Sequence, residues 1–112
     1  MEEGFSRKPY EVSNKFLESH TKIYNYGINI FGYFQAEKYS QKIDEAIETL
    51  SDYYIVYPEC RHLATKSRMY RNIILDSHLI IYRITAQRIE VLDIIHSASS
   101  VGKIRTVRSI QI

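Results

Sequence analysis

A change in the spacing of apolar residues divides this sequence near Tyr57 and Pro58. Ahead of that point, apolar residues recur at steps of three and four, which is the period of a helix buried along one side. After residue 69, β-branched and aromatic residues form three short runs with the composition of strands. A chain of 112 residues has room for a single core, so the two halves must pack on each other. The sequence therefore predicts an α+β fold.

Two helices are predicted in the first half, joined as an antiparallel hairpin. Ser13 is a suitable N-cap for a helix over residues 14–30, because its hydroxyl can accept a hydrogen bond from a free amide of the first turn. Gly32 follows this helix, and glycine readily adopts the left-handed conformation that ends one. A second apolar stripe begins near Tyr33 and continues to Tyr54. The connection is so short that the two helices must run in opposite directions.

Three strands are predicted in the second half, over residues 69–75, 78–85 and 88–96. Because two residues connect each pair, the strands form an antiparallel meander. Residues 10–12 alternate in polarity and predict a short N-terminal edge strand. The expected domain is a small antiparallel β-sheet with the two-helix hairpin packed on it, over residues 10–96.

The two ends of the chain lie outside this predicted domain. Residues 1–9 are polar and end in Lys8 and Pro9, which favours a flexible, extended arm. Residues 97–112 are a basic C-terminal tail, and their weak apolar periodicity predicts no particular element.

The middle predicted strand is apolar on both faces. One face carries Ile80, Tyr82 and Ile84. The other face carries Leu79, Ile81 and Arg83. A two-helix hairpin covers only one face of a meander. We therefore expect Leu79, Ile81 and Arg83 to bind a partner protein, with an acidic, amphipathic segment as the best fit.

The formal net charge of +2 hides an asymmetry along the chain. Residues 1–56 hold six Lys or Arg against nine Asp or Glu, a net of −3, whereas residues 57–112 hold nine against four, a net of +5. A basic half attracts an acidic or polyanionic partner. The candidate target-binding residues are the basic residues Arg61, Lys66, Arg68, Arg71, Lys103, Arg105 and Arg108.

Common local signatures of enzymes do not occur in the sequence, which has no Gly-rich phosphate loop, HExxH, CxxC or GxSxG motif. The lone Cys60 has no cysteine partner, and the four histidines lack metal-site spacing, so neither a metal nor a cofactor is expected. Arg83 and His96 are the candidate catalytic pair for metal-independent RNA cleavage, in which cations stabilise the transition state and a histidine moves protons. The alternative for Arg83 is an ordinary cross-strand ion pair with Glu90.

Apolar runs in the sequence are short. None approaches the roughly 18 to 20 residues that a membrane span requires. The N-terminal residues also lack the apolar region of a secretory signal. We expect a cytoplasmic protein without a membrane partner.

Several short motifs occur in the order of the predicted elements. Gly32 to Tyr39 reads G-x-x-Q-A-E-K-Y, His78 to Ile84 reads H-x-I-x-Y-R-I, and Ile89 to His96 reads I-x-V-L-x-I-x-H. These segments, with the order helix, helix and three strands, resemble the ParE branch of the RelE/ParE toxin superfamily. The resemblance covers the chain from about Tyr10 to His96.

This resemblance implies the toxin of a bacterial type II toxin–antitoxin module. Its partner would be a cognate antitoxin whose C-terminal segment wraps it, and operator DNA would be reached only through that antitoxin. ParE-like members poison DNA gyrase, whereas RelE-like members cut messenger RNA in the ribosomal A site. The G-x-x-Q-A-E-K-Y helix and the moderate charge favour gyrase. A third reading is a toxin-derived protein without poison activity that only binds a DNA-binding antitoxin.

Overall fold

The computed structural model describes residues 6–112, so the part of the predicted N-terminal arm over residues 1–5 lies outside the described residues. The helices and strands, in chain order, are β1 (Tyr10–Val12), α1 (Asn14–Phe31), α2 (Tyr33–Glu48), α3 (Leu50–Tyr53), β2 (Tyr70–Ile74), β3 (His78–Ile84), β4 (Ile89–His96), α4 (Val101–Thr106) and a 3₁₀ turn (Val107–Ser109). This order confirms the predicted α+β class.

The four strands form one sheet in the order β1-β4-β3-β2. β2, β3 and β4 are an antiparallel meander, as predicted. The short edge strand is also confirmed, and it pairs with β4 in parallel, with Tyr10 opposite Ile89 and Val12 opposite Val91. β1 thus leads directly into α1 at the side of β4.

A buried serine both starts the first helix and attaches it to the sheet. The Ser13 hydroxyl accepts a hydrogen bond from the Phe16 amide at 2.9 Å and donates one to the Leu92 carbonyl at 2.5 Å. The Ser13 amide donates to the Val91 carbonyl at 2.9 Å. The predicted N-cap is therefore confirmed, and it also sets where α1 sits against β4.

The helical hairpin closes tightly at its tip. Gly32 has a φ of +89°, which a residue with a side chain adopts only with strain, and its amide donates to the Ile28 carbonyl at 3.0 Å. Gly27 lies against Ala36, where an added Cβ would stand 3.4 Å from the alanine Cβ. Two small residues thus let α1 and α2 approach closely.

The second helix is shorter than its apolar stripe predicts. It ends at Glu48, and α3 follows as a separate turn instead of a continuous helix to Tyr54. The Thr49 hydroxyl donates to the Ala46 carbonyl at 2.6 Å. A threonine that bonds back to the preceding turn competes with the regular helical hydrogen bonds. The apolar spacing continues through this break, so it gives no sign of it.

Two apolar clusters lie on opposite faces of the sheet. The first lies under the helical hairpin and includes Phe16, Ile43, Leu50, Ile80, Tyr82 and Val91. The second is formed by Cys60, Leu63, Tyr70, Ile81, Leu92, Ile95, Ile104 and Val107. The sheet is therefore buried on both faces by the chain itself.

A β-bulge in β4 places apolar side chains on both faces. Ile81 lies opposite Asp93 whereas Tyr82 lies opposite Val91, so Leu92 is an additional residue on β4. The alternation restarts after it, and Val91 and Ile94 both join the hairpin-side cluster. Leu92 joins the cluster on the other face.

The prediction that the second face is open to a partner is wrong. Ile81 has no exposed surface, and Leu79 packs at the margin of the second cluster. The cover comes from the loop after Pro58 and from the C-terminal residues, whose structure the sequence left undetermined. Ile104 in α4 and Val107 in the 3₁₀ turn supply its buried apolar side chains.

Replacing Ser13 by alanine should lower the free energy of unfolding by about 1 to 3 kcal/mol, because the cap and a buried carbonyl both lose their partner. Chemical denaturation measures this loss. The exposed Ser97 serves as the control, and Ser97→Ala should leave stability within about 0.5 kcal/mol. Equal effects of the two substitutions would contradict the assigned role of Ser13.

Ile81→Glu should unfold or strongly destabilise the free protein, by several kcal/mol, because it places an unpaired carboxylate inside the second cluster. Ile74→Glu is the matched control, since Ile74 lies on the neighbouring strand and is 66% exposed. Thermal unfolding without any partner compares the two variants. A stable Ile81→Glu protein would show that this face is open after all.

Candidate partner-binding surfaces

Arg83 and Glu90 form the predicted cross-strand ion pair. They are opposite each other in the β3–β4 register, and Nε and Nη2 of Arg83 donate to Oε1 of Glu90 at 2.9 and 2.6 Å. Arg88 donates to Oε2 of the same carboxylate at 3.0 Å. Burial alone raises the pKa of Glu90, but the hydrogen bonds and charges of the two arginines outweigh it and lower that pKa. Glu90 is therefore a paired carboxylate and not a proton donor.

Arg83 also holds the C-terminal segment against the sheet. Its Nη2 donates to the Ile110 carbonyl at 3.3 Å and its Nη1 to the Arg108 carbonyl at 3.5 Å. The guanidinium groups of Arg83 and Arg108 lie 5.9 and 5.8 Å from the ring centre of Tyr70. Arg83, which was predicted to contact a partner protein, thus forms its hydrogen bonds within its own chain.

His96 lies at the opposite end of the sheet from Arg83. It pairs with His78, whereas Arg83 pairs with Glu90, six residues earlier on β4. Six residues of strand span about 20 Å. The predicted catalytic pair of Arg83 and His96 is therefore not brought together, because the two residues mark opposite ends of the β3–β4 ladder.

Cys60 is the free thiol of the chain and lies in the second cluster. Burial, and to a lesser degree the nearby Glu59 carboxylate, raises the pKa of Cys60 to about 11. A thiol with so high a pKa is protonated at neutral pH and is a poor nucleophile.

A cavity of about 660 Å³ opens between the hairpin and the end of the sheet that carries His96. Its walls include apolar side chains of both helices and three imidazoles, those of His20, His78 and His96. The Tyr39 hydroxyl lies 2.7 Å from Nδ1 of His78, and the rings of His78 and His96 pack edge to face at 5.6 Å. Burial, and secondarily the neighbouring His96, lowers the pKa of His78. The cavity thus combines apolar walls with groups that form hydrogen bonds.

The tip of the helical hairpin carries a group of exposed apolar side chains. Their exposed fractions range from 55% at Ile30 to 83% at Phe34. The hairpin tip consists of Tyr26, Ile30, Phe31, Tyr33 and Phe34. The sequence could have indicated this exposed surface, because five apolar residues flank the helix break at Gly32. A turn between two helices usually lies at the surface, so apolar residues there are candidates for binding a partner.

Six of the seven predicted target-binding residues are exposed on one side of the molecule. The loop carries Arg61, Lys66 and Arg68, and the C-terminal segment carries Lys103, Arg105 and Arg108. Both elements pack on the second cluster, so these cations share one side of the sheet.

Arg71 is the exception among those basic residues. It is 9% exposed, and its guanidinium donates at 2.9 Å to each of the carbonyls of Ile55, Tyr57 and Arg68. Its role as a surface cation is therefore corrected. Arg71 holds the connection between the helices and β2.

Within residues 6–112, no helix is long and apolar enough to cross a membrane. The same residues contain no group of three or more His, Cys, Asp or Glu side chains arranged to hold a metal ion.

Residues 10–101 match a known family, described as "ParE toxin of type II toxin-antitoxin system, parDE". Among solved structures, a chain of the "Chromosomal ParDE TA system from P. aeruginosa" has the same fold, with a TM-score of 0.68 at 17% sequence identity. That similarity covers 82% of this chain and 98% of the other. No curated protein sequence matches this one. Because the family match spans most of the chain, this protein belongs to the ParE toxin family of type II toxin–antitoxin systems.

Proposed function

We propose that this protein inhibits DNA gyrase and that a cognate antitoxin neutralises it in the cytoplasm. The observation that carries the proposal is the separation of Arg83 from His96, with Arg83 committed to Glu90 and to the C-terminal carbonyls. General acid–base catalysis requires its groups within hydrogen-bonding reach of one substrate. Arg83 and His96 do not meet this requirement, whereas a toxin that acts by binding, as the gyrase-directed branch of the superfamily does, has no need of it.

The exposed cations are the proposed contact with the target. Arg61, Lys66 and Arg68 on the loop, with Lys103, Arg105 and Arg108 on the C-terminal segment, stand on a surface fixed by buried side chains. Surface charge of one sign speeds the encounter with an oppositely charged partner and sets its orientation.

The antitoxin is proposed to bind on the other side, across the hairpin tip and the cavity. Ile81 is buried, and Leu79 and Arg83 pack at the covered face, so the antitoxin cannot bind there as predicted. The exposed apolar surface of the hairpin tip replaces that face as the proposed site. The imidazoles of His20, His78 and His96 give the cavity hydrogen-bond donors for carboxylates. An amphipathic, acidic antitoxin segment is the occupant that fits both features.

Purified protein added to gyrase and supercoiled DNA should accumulate cleaved gyrase–DNA complexes, seen as linear DNA after denaturation. Programmed ribosomes treated with the same protein should keep their messenger intact. Messenger cleavage with gyrase unaffected would overturn the proposal in favour of the ribosome-dependent nuclease. Normal growth on induced expression, with both assays negative, would overturn it in favour of a harmless binding partner.

Phe34→Asp should weaken antitoxin binding by about tenfold or more, since it puts a charge into the most exposed apolar position of the hairpin tip. Val56→Asp is the matched control, because Val56 is 69% exposed and lies outside the hairpin tip. Titration calorimetry with the purified antitoxin measures both variants. Equal affinities of the two variants would place the antitoxin elsewhere.

A further inference from the structure

One side of the sheet presents a surface of positive charge. We define this cationic surface by its six exposed residues, Arg61, Lys66, Arg68, Lys103, Arg105 and Arg108. They come from two stretches of chain that are far apart in sequence and that meet over the second cluster.

Few carboxylates offset this charge. Of the four Asp and Glu in residues 57–112, Glu90 and Asp93 are buried. Asp76 pairs with Lys42 of the hairpin at 3.0 Å. Glu59 lies 3.6 Å from Arg68, and the buried Asp93 interacts electrostatically with Lys103. Two carboxylates thus stand against six cations, and the surface retains a net positive charge.

The cations stand on a fixed support. Ile104 and Val107 anchor the C-terminal segment in the second cluster beside Leu63 of the loop. Arg83 holds the carbonyls of Arg108 and Ile110 at the end of that segment. Because the backbone is already fixed, only the side chains that carry the charges lose conformational entropy when they bind a regular array of opposite charge.

Two observations narrow the class of partner. The main apolar side chains of both elements point into the second cluster, so this surface offers little for an amphipathic peptide to bury. The aromatic residues that proteins use to stack single-stranded bases are exposed at the hairpin tip, whereas Tyr70 on this side is 6% exposed. A DNA duplex presents evenly spaced phosphates, and its binding requires neither an apolar groove nor exposed aromatic side chains.

We propose that the cationic surface binds the phosphate backbone of duplex DNA directly and without sequence preference. In the function proposed above, the bound DNA would be the segment held by gyrase, although the contact itself does not require gyrase. The protein would then engage DNA itself and not only through an antitoxin.

The test is fluorescence anisotropy with a labelled duplex of about 20 base pairs, at about 50 to 200 mM salt, using the purified full chain. The wild type should bind in the micromolar range at low salt, and its affinity should fall steeply as salt rises. Lys103→Glu with Arg105→Glu should reduce the affinity at low salt at least tenfold and should lower the slope of log K against log salt by about 2.

The control is Lys22→Glu with Lys38→Glu, which makes the same change in net charge on α1 and α2. This variant should bind DNA within about twofold of the wild type, since only the summed field changes. Melting temperatures confirm that both variants are folded. Equal losses in the two variants would overturn the proposal, because they would show an effect of net charge alone.

Two further outcomes would overturn it. One is the absence of salt-dependent binding to the duplex up to about 100 µM protein, the weak limit for nonspecific binders. The other is tighter binding of single-stranded RNA or of an acidic peptide through the same residues. Because gyrase is absent from the assay, a failure here leaves gyrase inhibition standing, and a failure of gyrase inhibition leaves this binding standing.

Discussion

The need to bury a sheet that is apolar on both faces shapes the whole molecule. β3 and β4 place Ile80 and Tyr82 toward the helices and Ile81 and Leu92 toward the other side. Exposed aliphatic surface of that extent would drive association with other chains. The hairpin covers the first face, and the loop with the C-terminal segment covers the second. The outward surfaces of these two covers differ in charge and polarity, and that difference separates the two proposed partners.

Long periodic segments were the predictable part of the fold. The stripe of α1 and the strands of the meander repeat a signal over many residues. The cap at Ser13 and the break at Gly32 follow from residue types that favour the two ends of a helix. α4 has six residues and one buried side chain, too few to stand out in a basic tail. The packing of α4 depends on tertiary contacts that local sequence does not indicate. For this reason the prediction of an open face at Ile81 was wrong.

In the candidate site, too, the features set by local register were predictable and those set by distant contacts were not. Opposition of Arg83 and Glu90 across a hairpin is a matter of register, so strand boundaries were enough to anticipate the ion pair. The same register placed His96 a strand length away, a separation visible only once Glu90 and His96 are counted along one strand. The contact of Arg83 with the C-terminal carbonyls, and the turn of Arg71 into the interior, depend on distant backbone that no local pattern reports.

The clasp of Arg83 on the C-terminal segment uses main-chain oxygens at Arg108 and Ile110. Every residue type supplies the same main-chain carbonyl, so these two hydrogen bonds do not depend on which residues stand at positions 108 and 110. The exposed side chains of that segment, such as those of Lys103 and Arg105, can therefore change in evolution without loss of the fold. A family member with this arrangement can acquire a new specificity by a few surface substitutions, with no compensating change in its interior.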